Sequence, residues 1–206
     1  MSSKHPIPPR RRRRLAAFRL ALGLAVLVAL ACIIDPGGGE PTPTATSESY
    51  YIIVTPAPSP HVWVRYPVAL DDDLQQYITT EAEAREIDPA LVMAICEIES
   101  GCDPSKLGDD GNAWGIMQIH PIYFLDEIEA LGVTDLLDPY QNILLGLTYL
   151  QELYATGHVT AWVLMAYNGG QSYASNLAAQ GVTSNYAKQV MERAEELTES
   201  AQIMTD

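Results

Sequence analysis

Asp88-Pro89-Ala90-Leu91-Val92-Met93-Ala94-Ile95-Cys96-Glu97-Ile98-Glu99-Ser100-Gly101 is the stretch on which the fold turns. Asp88 is a good helix N-cap and Pro89 suits the first helical position, so a helix is expected to open there. From Ala90 to Cys96 every residue is apolar. A helix with no polar face belongs at the centre of a core. Two glutamates then arrive in its last turn, where anions are disfavoured both by the helix C-terminus and by apolar surroundings. Residues that break local rules in this way tend to mark function. Both effects raise a carboxyl pKa, and a carboxyl that keeps its proton near neutrality can act as a general acid. Periodicity does not choose between the two: Glu97 shares a face with Ala90, Met93 and Ala94, and Glu99 shares one with Val92, Ile95 and Cys96.

Working outward, Asp138-Pro139 repeats the helix-opening device, and Ile143, Leu147, Leu150 and Tyr154 follow it as one apolar stripe. Upstream, Leu74, Tyr77, Ile78 and Ala82 sit at helical spacing behind the run Asp71-Asp72-Asp73, which predicts a first helix reaching about Arg85. Further helices are expected over residues 160–167, 172–179 and 184–198, separated by glycine-bearing turns. No internal repeat and no strand series is visible. Residues 71–206 are therefore expected to form one mainly α domain.

The N-terminal third has a different composition. Seven of the twelve basic residues precede residue 35, where no acidic residue occurs, and five of them are consecutive at Arg10 to Arg14. Residues 20–34 form an unbroken apolar run of signal-segment or membrane-span length, and the arginines before it should stay on the cytoplasmic side. Residues 1–34 are thus expected to export or anchor the chain. Cys32 closes the run as Ala29-Leu30-Ala31-Cys32, which looks like a bacterial lipobox with its leucine and small residue exchanged. Lipidation of Cys32, an uncleaved span and a cleaved signal all remain open. Residues 35–70, rich in Pro, Thr, Gly and Ser, are expected to be a disordered linker. Beyond residue 34, five basic residues face all 26 acidic ones, a formal charge of −21, so this part has no cationic surface for nucleic acid. In an oxidising compartment Cys96 and Cys102 become a candidate disulfide pair, provided that Gly101 breaks the helix between them.

Four blocks in order carry a family resemblance: Glu99-Ser100-Gly101-Cys102-Asp103-Pro104; Gly115-Ile116-Met117-Gln118-Ile119; Asp138-Pro139 with Asn142-Ile143 and Gly146; and Ala166-Tyr167-Asn168-Gly169-Gly170. A late Tyr186, followed by Val190, adds to them. Together they resemble the SLT-type lytic transglycosylase domain of the lysozyme-like superfamily, over about residues 74–197. The resemblance implies a lysozyme-like helical domain that cleaves the β-1,4 bond between N-acetylmuramic acid and N-acetylglucosamine and leaves 1,6-anhydromuramic ends. It implies Glu99 as the catalytic acid, with Ser100, Met117, Gln118, Tyr167, Asn168 and Tyr186 lining the sugar groove or orienting that acid. Peptidoglycan strands would be the partner, at the extracytoplasmic face of a bacterial envelope, with no metal and no cofactor.

The sequence departs from that pattern at Cys102, where an aromatic residue is commoner, and in the loop from Gly108 to Asn112. The loop is similar to that of goose-type lysozymes, which hydrolyse their substrate. Asp109 falls where those enzymes carry an acidic residue, so it is a candidate second carboxylate, whereas their further aspartate is His120 here. The alternatives are therefore a goose-type-like muramidase, or a wall-binding module without catalysis. A third is an anchoring protein whose cleavage serves an assembly.

Overall fold

The computed structural model describes residues 62–205. The N-terminal segment, Cys32 and most of the linker lie outside the described residues. Seven α-helices dominate: α1 Asp72–Glu83, α2 Pro89–Ser100, α3 Leu125–Leu131, α4 Pro139–Tyr154, α5 Thr160–Gly169, α6 Gln171–Ala179 and α7 Asn185–Glu199. The domain is mainly helical, as the apolar periodicities predict, and among the described residues no helix is long and apolar enough to cross a membrane.

Helix α2 is the axis of the core. All seven residues from Ala90 to Cys96 are buried, and the helix packs against α1 on one side and α7 on the other. Its start follows the sequence rule: Asp88 Oδ1 accepts from the Ala90 N–H at 2.9 Å and Pro89 occupies the first turn. Its end is set by Gly101, whose φ of 70° only glycine adopts at no steric cost. Helix α4 opens the same way, with Asp138 Oδ1 accepting from the N–H groups of Tyr140 and Gln141. The stripe expected on α4 is buried at Ile143, Leu147 and Leu150, which lie against α1 and α5. Helix α5 in turn packs on α6 and α7.

Two small antiparallel sheets complete the domain. Strands β1 Val62–Arg65 and β4 Gln202–Thr205 pair in the register Val62↔Thr205 to Arg65↔Gln202, and β2 Leu107–Gly108 pairs with β3 Ala113–Trp114. Neither was visible in the sequence pattern. The first corrects the domain boundary: residues 62–70 are not linker. Trp63, Tyr66 and Leu70 are buried, the Tyr66 N–H donates to Gln75 Oε1 at 2.9 Å, and Gln75 Nε2 donates to the Leu70 carbonyl at 3.1 Å. The aromatic and aliphatic residues of this short stretch outweigh its one proline, Pro67, once α1 offers them a surface.

Candidate active site

The two glutamates that periodicity could not separate are separated by α7. Arg193 on α7 grips Glu97 with two bonds, Nε to Oε2 at 2.8 Å and Nη2 to Oε1 at 3.3 Å, and also reaches Glu196 Oε2 at 2.9 Å. Glu97 is thus neutralised in a bidentate ion pair, the arrangement an arginine fork favours. Seven residues earlier on the same helix, Tyr186 donates its hydroxyl to Glu99 Oε1 at 2.7 Å. No ion pair forms at the Glu99 carboxyl among the described residues. Burial raises its pKa above the ordinary carboxylate range, opposed by the Tyr186 hydrogen bond and by the charge of Lys106. Such surroundings favour the protonated form of a carboxyl.

The loop beyond α2 is built by side chains reaching in from three helices. Ser100 Oγ lies 2.9 Å from the Cys96 carbonyl and 2.8 Å from the Ile116 carbonyl, with one proton to share between them. Asn142 of α4 is fully buried and saturated: its Oδ1 accepts from the Met117 N–H at 2.9 Å, and its Nδ2 donates to the carbonyls of Trp114 and Leu136. Tyr167 of α5 donates its hydroxyl to the Met117 carbonyl at 2.8 Å. The segment 115–118 is suspended from these three contacts. Close approach demands glycine at two points: a Cβ at Gly115 would strike the Leu136 carbonyl and Asn142, and one at Gly146 would strike the Met117 sulfur.

Several residues expected in the groove have other positions. Ser100 and Met117 are buried and fasten the loop to the core. Gln118, at a φ of 50°, donates Nε2 to the carbonyls of Gly115 at 2.8 Å and Lys106 at 3.2 Å, bracing the hairpin of β2 and β3. Asn168 is exposed near the end of α5. Asp109 lies on the hairpin turn, its carboxylate exposed and 3.7 Å from His120 Nε2, and His120 stacks on Tyr123 with ring centroids 5.9 Å apart. Among the described residues, four of the five non-glycine residues with positive φ fall between residues 102 and 118, namely Cys102, Asp109, Asp110 and Gln118. Each such backbone costs about 1–2 kcal/mol, and such strain gathers at functional sites. A cavity of about 210 Å³ borders this loop, lined by Trp114, Pro121, Ile128 and Val133 to Leu136, and does not include Glu99.

The candidate disulfide is not formed: Cys96 and Cys102 are free, buried thiols. Gly101 does break the helix between them, but burial holds both side chains in their neutral form, pushing Cys102 up to about 11 and Cys96 higher still. A thiol without thiolate character exchanges slowly. Lys106, which belongs to none of the motif blocks, donates from Nζ to the Glu99 carbonyl at 2.7 Å. Its signal was present as a rare cation seven residues after the acid, in a strongly acidic domain.

Residues 76–190, more than half of the chain, match the family described as Transglycosylase SLT domain, and the chain belongs to that family. It is similar to the soluble lytic murein transglycosylase of Escherichia coli K12, 32% identical over 117 residues that make up 53% of this chain and 17% of that protein. A transglycosylase of Enterobacteria phage PRD1 is 38% identical over 106 residues, 51% of this chain and 37% of the phage protein. The chain therefore spans well under half the length of these relatives. An inactive mutant of the lytic transglycosylase Slt from Pseudomonas aeruginosa aligns in structure with a TM-score of 0.48 and 21% identity, over 66% of this chain and 22% of that one.

Proposed function

We propose that the chain is a peptidoglycan lytic transglycosylase with Glu99 as its single catalytic carboxyl. The observation that carries this reading is the contrast in the last turn of α2: Glu97 is neutralised by Arg193, while Glu99, half-buried and without an ion pair at its carboxyl among the described residues, is raised in pKa by desolvation and held by the Tyr186 hydroxyl. Family membership supplies the bond that such an acid would act on.

In the first half of the reaction Glu99 gives its proton to the glycosidic oxygen between N-acetylmuramic acid and N-acetylglucosamine, and the C1–O4 bond breaks. In the second half the resulting carboxylate takes the proton of the muramic C6 hydroxyl, whose oxygen bonds to C1. The sum consumes no water and returns Glu99 to its acid form. Tyr186 orients the carboxyl through both halves, because its hydroxyl can donate to Oε1 whether or not the other oxygen carries a proton. A positioned general acid of this kind contributes about 10²–10⁴ in rate.

The setting that fits this activity is the extracytoplasmic face of a bacterial envelope, with residues 1–34 as export signal or anchor and Cys32 as the residue a lipid would modify. A hydrolytic reading has one observation in its favour, the exposed Asp109 carboxylate beside His120 on the loop that follows Glu99. The two readings differ in product. Full-length chain incubated with peptidoglycan should release muropeptides ending in 1,6-anhydromuramic acid, detected by mass spectrometry as one water lighter than reducing ends. Reducing-end products that disappear in Asp109→Asn would replace this reading with the hydrolytic one.

A further inference from the structure

Three of the five basic residues of the domain are committed to carboxylates. Arg65 pairs with Asp72, Arg85 with Glu81, and Arg193 with Glu97 and Glu196. Lys106 is placed differently: its ammonium lies 2.7 Å from the backbone carbonyl of Glu99. That oxygen is among the last four carbonyls of α2, which have no partner within the helix and form the negative end of its dipole. The backbone of Lys106 is itself fixed on both sides. Its N–H donates to the Asp103 carbonyl, and its carbonyl accepts from the N–H of Gly115 at 2.9 Å and from Gln118 Nε2. The ammonium is therefore delivered from a rigid base to the last turn of α2.

The other groups facing Glu99 are neutral at working pH. Tyr186 comes from α7, Tyr167 from α5, and Cys96 lies on the preceding turn of α2 itself; burial raises all three above their ordinary values. Asp103, on the turn between α2 and Lys106, is exposed and held ionised by the Ser105 hydroxyl and N–H. Lys106 is the cation that offsets a negative charge on Glu99.

We infer that Lys106 is a positioning residue of the reaction: it ties down the end of α2 by the Glu99 carbonyl, and its charge stabilises the glutamate in the interval after the proton has left. The inference rests on the reading of Glu99 as the acid. An acid that must also serve as base needs its ionised form within reach, and burial alone would place that form too high in energy.

The test uses the full-length chain with Lys106→Gln, which keeps a donor for the carbonyl and loses the charge, and Lys106→Arg, which keeps the charge. Initial rates of muropeptide release are measured against pH. Glu99 enters the reaction protonated, so the alkaline limb reports its ionisation. Lys106→Gln should move that limb upward by about one pH unit, the order expected for removing a nearby opposite charge, with a slower maximum. Lys106→Arg should hold it where the unaltered chain has it. An unmoved limb in a folded Lys106→Gln variant would leave Lys106 as a helix cap only and overturn the inference alone. Absence of any Glu99-dependent product from the unaltered chain would overturn the functional reading and this inference with it.

Discussion

Helix α2 and the loop that leaves it, residues 101–120, are neighbours held together in opposite ways. The helix obeys local rules from its Asp88 cap to Cys96, and it is stable because apolar side chains leave water. The loop breaks local rules, with four non-glycine residues in left-handed backbone, and its shape depends on Ser100, Asn142 and Tyr167 reaching in from α2, α4 and α5. Glu99 stands at the junction. A rigid buried helix gives it a position, and an imposed loop, braced by Gln118, brings Lys106 up to its backbone carbonyl. Damage to the helix should therefore appear first as lost stability, and damage to the loop first as lost activity.

The largest stability effect is expected inside α2. Met93 is fully buried, so Met93→Ala should cost about 2–5 kcal/mol by transfer and cavity terms. Denaturant unfolding checks this, and the rate per folded molecule should change little. Asn142→Asp should cost less, about 1–3 kcal/mol, because the Trp114 and Leu136 carbonyls lose their donors and meet a carboxylate. Its activity should nonetheless fall more than that of Met93→Ala, since segment 115–118 loses its suspension. If the two variants rank alike in stability and activity, the contrast between helix and loop is broken.

The smallest effect is a gain. Burial holds the Glu99 pKa above its unfolded value, so the folded state binds the proton more tightly than the unfolded state. Stability from this group is full below the unfolded pKa and is lost as pH rises through the folded one. Glu99→Gln should accordingly raise the melting temperature at neutral pH, by about 2–4 °C if about 1 kcal/mol is recovered. The gain should shrink as pH falls and vanish well below the ordinary glutamate pKa of about 4.3, where both states are protonated. Thermal melts at the two pH values check the sign.

Much of the helical frame was legible because its signals are local: two Asp-Pro openings, the apolar stripe of α4 and the featureless apolarity of α2. The β1 and β4 pairing was not, because four-residue strands at opposite ends of the domain carry no periodicity that links them. The site was half legible. Motif resemblance singled out Glu99 and Tyr186, which the fold brings into one hydrogen bond, but no motif reports that Ser100 and Met117 are buried. The choice between Glu97 and Glu99 depends on Arg193, 96 residues further along the chain, and no local pattern reports such a contact.

On the proposed reading two glutamates on one helical turn have different tasks. Glu99→Gln and Glu97→Gln variants of the full-length chain should be compared for muropeptide release from peptidoglycan at neutral pH. A loss of about 10²–10⁴ in rate is expected for Glu99→Gln. For Glu97→Gln, whose ion pair with Arg193 is partly exposed, a small change is expected, with at most about 1 kcal/mol of stability lost. Equal losses in the two variants, or a greater loss in Glu97→Gln, would contradict that reading.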